Sequence, residues 1–278
     1  MKIFLGPAGI PLGAPEKSTL GALRYLAEVG LNAMEVQFVR GVAMSPEMAE
    51  EVGKEAEGLG IRLSVHCPYF VNLCSPEPEK VRASEKRILQ SVERASRMGA
   101  GVATFHPGFY GRLGREETLR RVKEGCSRLR GEMRKKGWGE VKLGLETMGK
   151  QGSFGTLEEV VEVCGEVEGC IPVVDWAHLY ARAAGRLDYA EVFEALKGLE
   201  LKHLHTHFTG VEFSVVGEGR GNEKHHLELS SGKPPFEPLA REILRRKVEI
   251  TLISESPVLE QDSLRMKEIF RSLGYRFS

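Results

Sequence analysis

Eight histidines punctuate the 278 residues: His66, His106, His178, His203, His205, His207, His225 and His226. Three acids stand out beside them, Glu146, Asp175 and Glu255, because each closes an apolar run. A carboxylate placed after Val141-Lys142-Leu143-Gly144-Leu145 is costly to bury unless something pairs with it. Imidazole nitrogen and carboxylate oxygen are ligands of zinc, at roughly 2.0–2.2 Å, and a bridging carboxylate holds two ions about 3.5–4 Å apart. Carboxylates crowded together without cations raise one another's pKa and resist ionising; divalent ions remove that conflict. Nitrogen and oxygen donors without cysteine point to Zn²⁺, with Mn²⁺ or Fe²⁺ as alternatives. Taken alone, a strand-end histidine is more often a hydrogen-bonded polar residue, and a strand-end glutamate a salt-bridge partner. Their joint occurrence along consecutive strands is what favours a metal centre.

The elements that position these groups follow from periodicity. Strands are expected over residues 2–5, 33–38, 61–66, 102–106, 141–146, 171–175, 201–207 and 248–255. Helical patterns separate them; Leu119, Val122, Cys126, Leu129 and Met133, for example, line one face. Thr156 with Glu159 forms a capping box ahead of Leu157, Val160, Val161 and Cys164. Eight βα units predict a (β/α)₈ TIM barrel, α/β in class, as one domain over residues 1–278; such barrels take roughly 250 residues. A doubly wound open sheet is the structural alternative. In a barrel the C-terminal strand ends meet on one face, where active sites lie. His66 and His106 end the third and fourth strands, Glu146, Asp175 and Glu255 the fifth, sixth and eighth, and His178 follows the sixth. His203, His205 and His207 lie on the seventh. His225 and His226 fall in residues 208–235, which read as a long irregular loop of the kind that is usually functional.

Composition narrows the alternatives. The chain is 41% hydrophobic and 28% charged, enough for a large core and unlike a disordered segment. Its 39 basic and 39 acidic residues leave no net charge, so any nucleic-acid contact must come from a local patch. No run of 18 apolar residues offers a membrane span, and Met1-Lys2-Ile3-Phe4-Leu5 is too short for a signal peptide. The five cysteines show no CxxC spacing and read as reduced thiols of a cytoplasmic protein. Gly217-Glu218-Gly219-Arg220-Gly221 lacks the strand–helix context of a nucleotide fingerprint.

The same residues carry a resemblance to the endonuclease IV family, within the xylose-isomerase-like barrel group. His66-Cys67-Pro68-Tyr69-Phe70-Val71-Asn72-Leu73 resembles its His-x-x-Tyr-x-x-Asn-Leu segment, and Phe105-His106-Pro107-Gly108 its Phe-His-Pro-Gly. Leu145-Glu146-Thr147, Asp175-Trp176-Ala177-His178 and Ser254-Glu255-Ser256-Pro257 match further segments, so the pattern holds from roughly residue 60 to 260. The resemblance implies an apurinic/apyrimidinic endonuclease, a hydrolase of DNA repair that cuts 5′ to abasic sites with three zinc ions. It implies His66, His106 and Glu146 at one ion, with Glu146 bridging to a second shared with Asp175, a strand-seven histidine and Glu255. His178, Glu223 and His225 would hold a third. Glu146 would orient the attacking water, and Glu255 would assist as proton acceptor. Two departures matter. The family's Asp-Arg-His is here Glu223-Lys224-His225-His226, so either histidine can ligate. Its strand-seven His-Leu-Asn-Asp is here His203-Leu204-His205-Thr206-His207, where His205 is favoured, with His203 or His207 second.

The implied partner is DNA containing abasic sites, met by a chain expected to act as a monomer with no obligate protein partner. Tyr69 and Phe70 follow His66 where the family enters the duplex, and apolar side chains can wedge base steps; packing of the barrel mouth explains them equally well. Arg40 after the second strand is a phosphate contact in this reading, with Arg112, Arg115 and Arg182 as further partners. Two other functions compete. A sugar or sugar-phosphate isomerase or epimerase of the same barrel group uses strand-end acids and a histidine around one ion, and has no need of the extra imidazoles. A non-catalytic binding protein fits poorly with so complete a donor set.

Overall fold

The computed structural model describes residues 1–277. Eight parallel strands make one sheet: β1 (Ile3–Pro7), β2 (Ala33–Gln37), β3 (Arg62–His66), β4 (Val102–Phe105), β6 (Lys142–Glu146), β8 (Cys170–Asp175), β9 (Leu204–Phe208) and β12 (Ile250–Ser254). Each pairs with its sequence neighbour in the sheet, and β12 returns to pair with β1, Ile3 opposite Ile250. The seam between β1 and β2 is short. Ala8 bridges to Glu35, and Gly9 N–H donates to the Glu35 carbonyl at 2.8 Å. A Cβ at Gly6 would lie 1.7 Å from the Ala33 carbonyl oxygen, so only glycine lets the two strands approach closely enough to bring the barrel nearly closed. This is the TIM barrel expected from the alternation of elements.

The helices follow from caps and apolar stripes. Ser18 and Ser45 accept from Gly21 and Met48 N–H at the starts of α1 (Thr19–Glu28) and α2 (Pro46–Gly58). α3 (Pro78–Arg97) and α4 (Arg115–Lys135) bury Ile88, Val92, Val122, Cys126 and Leu129 against the sheet. The Thr156–Glu159 capping box opens α5 (Leu157–Glu166). α6 (Trp176–Arg182), α7 (Tyr189–Leu196), α8 (Phe236–Arg246) and α9 (Glu260–Ser272) complete the outer layer. Among the described residues no helix is long and apolar enough to cross a membrane.

One expectation fails. Residues 208–235 are not irregular: β10 (Gly210–Gly217) and β11 (Arg220–Leu227) form an antiparallel hairpin turning at Glu218-Gly219. Val211, Phe213 and Val215 alternate with polar residues on its first strand, a two-residue period hidden by the charged composition around it. Two further short strands, β5 (Gly108–Phe109) and β7 (Ser153–Phe154), pair with each other over the mouth-side loops.

Candidate metal centre at the barrel mouth

Parallel strands point alternate side chains inward, and their C-terminal ends supply the polar ones. His66 ends β3, Glu146 ends β6, Asp175 ends β8, and His106 and Glu255 follow β4 and β12 directly. His66 Nε2 lies 3.1 Å from Glu146 Oε2, and His106 Nε2 lies 3.0 Å from the same oxygen. The other Glu146 oxygen lies 3.3 Å from His178 Nδ1 and 3.3 Å from His207 Nδ1. A fully buried carboxylate thus stands at the centre of four imidazoles. Burial would favour its neutral form, but His106 and His207 hold it well below the usual carboxylate range.

Three groups of donor atoms, each within 4.8 Å of one another, lie side by side: His66, His106 and Glu146; Glu146, Asp175, His207 and Glu255; His178, Glu223 and His226. The first two share Glu146. The third adjoins them, with His178 Nδ1 3.7 Å from Asp175 Oδ2 and His178 Nε2 3.3 Å from Glu223 Oε2. Asp175 uses Oδ1 to accept from His178 N–H at 2.7 Å, capping α6. Its Oδ2 is buried with no hydrogen-bond partner. Burial, reinforced by Glu146 and Glu255 against the pull of His178, raises the Asp175 carboxyl to about 6. An orphaned buried oxygen amid acids and imidazoles is what a bound dication would satisfy, so the residues present fit such an ion.

The hydrogen-bond partners of the imidazoles support the same fit. His66 Nδ1 lies 2.8 Å from the Cys67 carbonyl, His178 Nδ1 2.8 Å from the Thr147 carbonyl, and His226 Nδ1 3.0 Å from the Glu255 carbonyl. A carbonyl only accepts, so each Nδ1 donates and each Nε2 turns inward free to ligate. Without an ion, burial works to lower the His66 imidazole, but the Glu146 carboxylate bonded to it holds it up at about 9. His178 and His207 are likewise held well above the ordinary value despite burial, by Asp175 and Glu35 respectively among other acids.

The surrounding loops fix the third group. Glu223 N–H donates to the Gly149 carbonyl at 3.2 Å, and Gln151 N–H to Asn222 Oδ1 at 2.7 Å. A Cβ at Gly149 would sit 2.8 Å from Glu223 Cβ and 3.1 Å from His178 Cδ2, so this loop lies on the site only as glycine.

The structure brings most of the sequence-predicted residues to this mouth, and two it does not. His207, not His205, joins Glu146, Asp175 and Glu255. The register explains it: His207 is level with Asp175, whereas His205 is level with Val173, one layer deeper. There His205 Nε2 lies 3.1 Å from Glu35. Likewise His226, not His225, stands with His178 and Glu223. The hairpin register passes from Glu212 opposite His225 to Phe213 opposite Glu223, leaving Lys224 as an extra residue. That bulge shifts the alternation by one, so Glu223 and His226 share the inner face and His225 is exposed.

Tyr69 and Phe70 stand on the rim, 49% and 65% exposed. The Tyr69 ring stacks on His106 with centroids 5.9 Å apart. Arg40 is exposed. Arg182 donates to the Met148 and Ser153 carbonyls at 3.2 and 3.1 Å, and Arg115 pairs with Glu159 at 2.9 Å, so both serve the scaffold. Beside this site, one buried acid escaped sequence reasoning: Glu35, in the middle of the β2 run Ala33-Met34-Glu35-Val36. The signal was the one that singled out Glu146, an acid inside an apolar strand.

A model of the xylose isomerase-like TIM barrel family matches residues 23–273. The uncharacterized protein MJ0133 of Methanocaldococcus jannaschii is 30% identical over 279 aligned positions, covering 98% of each chain. A probable endonuclease 4 from Acholeplasma laidlawii is 31% identical over 128 residues, 45% of this chain and 42% of that one. Among solved structures, endonuclease IV from Thermus thermophilus is 25% identical with a TM-score of 0.68, over 96% of this chain and 98% of its own. A D-tagatose 3-epimerase-like protein shares the fold at 20% identity and a TM-score of 0.70, over 98% and 96%.

Proposed function

The chain belongs to the xylose isomerase-like TIM barrel family, and from that premise we propose that it is a metal-dependent phosphodiesterase that hydrolyses DNA 5′ to abasic sites. One observation carries the reading: nine donor residues form three adjoining groups, two of them joined through Glu146. An isomerase or epimerase working around one ion needs no more than a set such as Glu146, Asp175, His207 and Glu255. It has no use for His66 and His106 on one side and His178, Glu223 and His226 on the other. The likeness to endonuclease IV of Thermus thermophilus supports the same choice.

Dications held there, Zn²⁺ or alternatively Mn²⁺ or Fe²⁺, would supply charge neutralisation at phosphate oxygens and a lowered pKa for an attacking water. The protein's own residues do the rest. Glu146, fixed on both oxygens by imidazoles, orients the nucleophile's approach. Glu255, whose side chain keeps 14% exposure, is placed to accept a proton and pass it to solvent. Phe70 offers an apolar wedge beside the lesion, Tyr69 lines its entry, and Arg40 meets backbone phosphate. The domain is single in this reading, and no second protein is required.

The test is incision of a labelled duplex carrying one abasic site, with and without chelator. Chelator-sensitive cutting on the 5′ side is expected. Absence of cutting together with ketose–aldose turnover would overturn the reading in favour of a one-ion isomerase.

A further inference from the structure

Beneath the mouth lies a layer that the proposed reaction does not itself use. Its centre is Glu35, fully buried on β2. Its carboxylate accepts from Ser64 Oγ at 3.0 Å, Thr104 Oγ1 at 3.4 Å and Gln37 Nε2 at 3.1 Å. His205 Nε2 approaches at 3.1 Å, and His207 Nε2 lies 3.1 Å from the other oxygen. Although Glu35, His205 and His207 are spaced as an ion site would be, the Ser64 and Thr104 hydroxyls and the Gln37 amide already donate to the Glu35 carboxylate, which leaves it an acceptor toward the two imidazoles. The arrangement is an acceptor hub.

An acceptor-only carboxylate fixes where its imidazole partner carries the proton. With Nε2–H of His207 given to Glu35, the lone pair sits on Nδ1, which faces Glu146 at 3.3 Å and Glu255 at 3.7 Å. His66, His178 and His226 obtain the equivalent anchoring from main-chain carbonyls, and through the opposite nitrogen. His207 has no such recourse. It lies within β9, paired on one side with β8 and on the other with β12, where carbonyls are committed to the ladders. Only a side chain from across the barrel can do this work.

We propose that Glu35, braced by His205, is a positioning residue that locks His207 in the Nε2–H tautomer and presents Nδ1 as its ligating atom. The proposal rests on the reading of the mouth as a metal centre. Outer-shell partners of this kind alter metal affinity by roughly 10–100-fold when removed.

Zinc affinity and stoichiometry, measured by competition with a chromophoric chelator, compare the wild-type protein with Glu35→Gln. One ion is expected to bind about 10–100-fold more weakly in the variant, the others unchanged. Long-range ¹H–¹⁵N correlation spectra of the zinc-loaded wild type provide a measurement that needs no variant, and His207 is expected with its proton on Nε2. Wild-type affinity in Glu35→Gln, or a proton on Nδ1 of His207, overturns the proposal while leaving the metal centre standing. A wild-type protein that takes up no zinc overturns both.

Discussion

At the N-terminal end of the barrel His203 meets Thr251 Oγ1 at 2.8 Å, the ring of Phe4 with centroids 5.7 Å apart, and Glu249 at 3.5 Å. At the C-terminal end His207, only two inward positions further along, meets Glu35, Glu146 and Glu255. Burial and nearby Arg62 push the His203 imidazole down to about 4, whereas His207 is held up by its acids in spite of burial. The same residue type, spaced for the same face, is neutral at one rim and a cation or ligand at the other. The acids make the difference: Glu146, Asp175 and Glu255 all sit where strands end, and none of them where strands begin. A barrel separates its two mouths by function in this way, one for chemistry and one for stability.

The sharpest challenge to that contrast is Glu146→Gln. If Glu146 joins two donor groups, the variant should lose several kcal/mol of transition-state stabilisation, about 10³-fold in incision rate. Metal content by elemental analysis should fall together with it. His207→Gln against His203→Gln comes next: about 10²-fold loss of cleavage for the first, and less than roughly twofold for the second, since a change remote from the mouth leaves transition-state contacts alone. Equal losses would erase the distinction between the two rims.

Phe70→Ala probes the rim itself. It should raise KM for abasic duplex about tenfold, as expected for one lost base contact, with kcat and melting temperature unchanged because the ring is 65% exposed. The smallest effect is on stability against pH in the metal-free protein. His203 sits near 4 when folded against 6.5 unfolded, so its contribution is present above 6.5 and lost as pH falls toward 4. His66 sits near 9 against 6.5, so its contribution is present below 6.5 and lost as pH rises through 9. In thermal melts across pH, His203→Gln should flatten the acid limb and leave the alkaline limb as it is.

The strand ends were readable in the sequence because buried parallel strands are short apolar runs, and the polar residue that breaks each run marks the mouth. His66, Glu146 and Asp175 announce themselves in that way. What the sequence hid was depth and phase. His203, His205 and His207 alternate identically, and only pairing with β8 shows which is level with Asp175. Glu35 is inconspicuous because Gln37, not Glu35, stands at the end of β2. The hairpin was hidden because charged residues and glycines make up half of residues 210–227, so the alternation of Val211, Phe213 and Val215 carries little contrast.

The extra residue at Lys224 has a consequence for how this segment can change through descent. Removing it would restore unbroken alternation, in which Glu223 and His226 stand two positions apart and still share the inner face. A one-residue slip of the whole strand is different: it would exchange His226 for His225 but turn Glu223 outward. The hairpin therefore keeps its donor pair through loss of the bulge and not through a change of register.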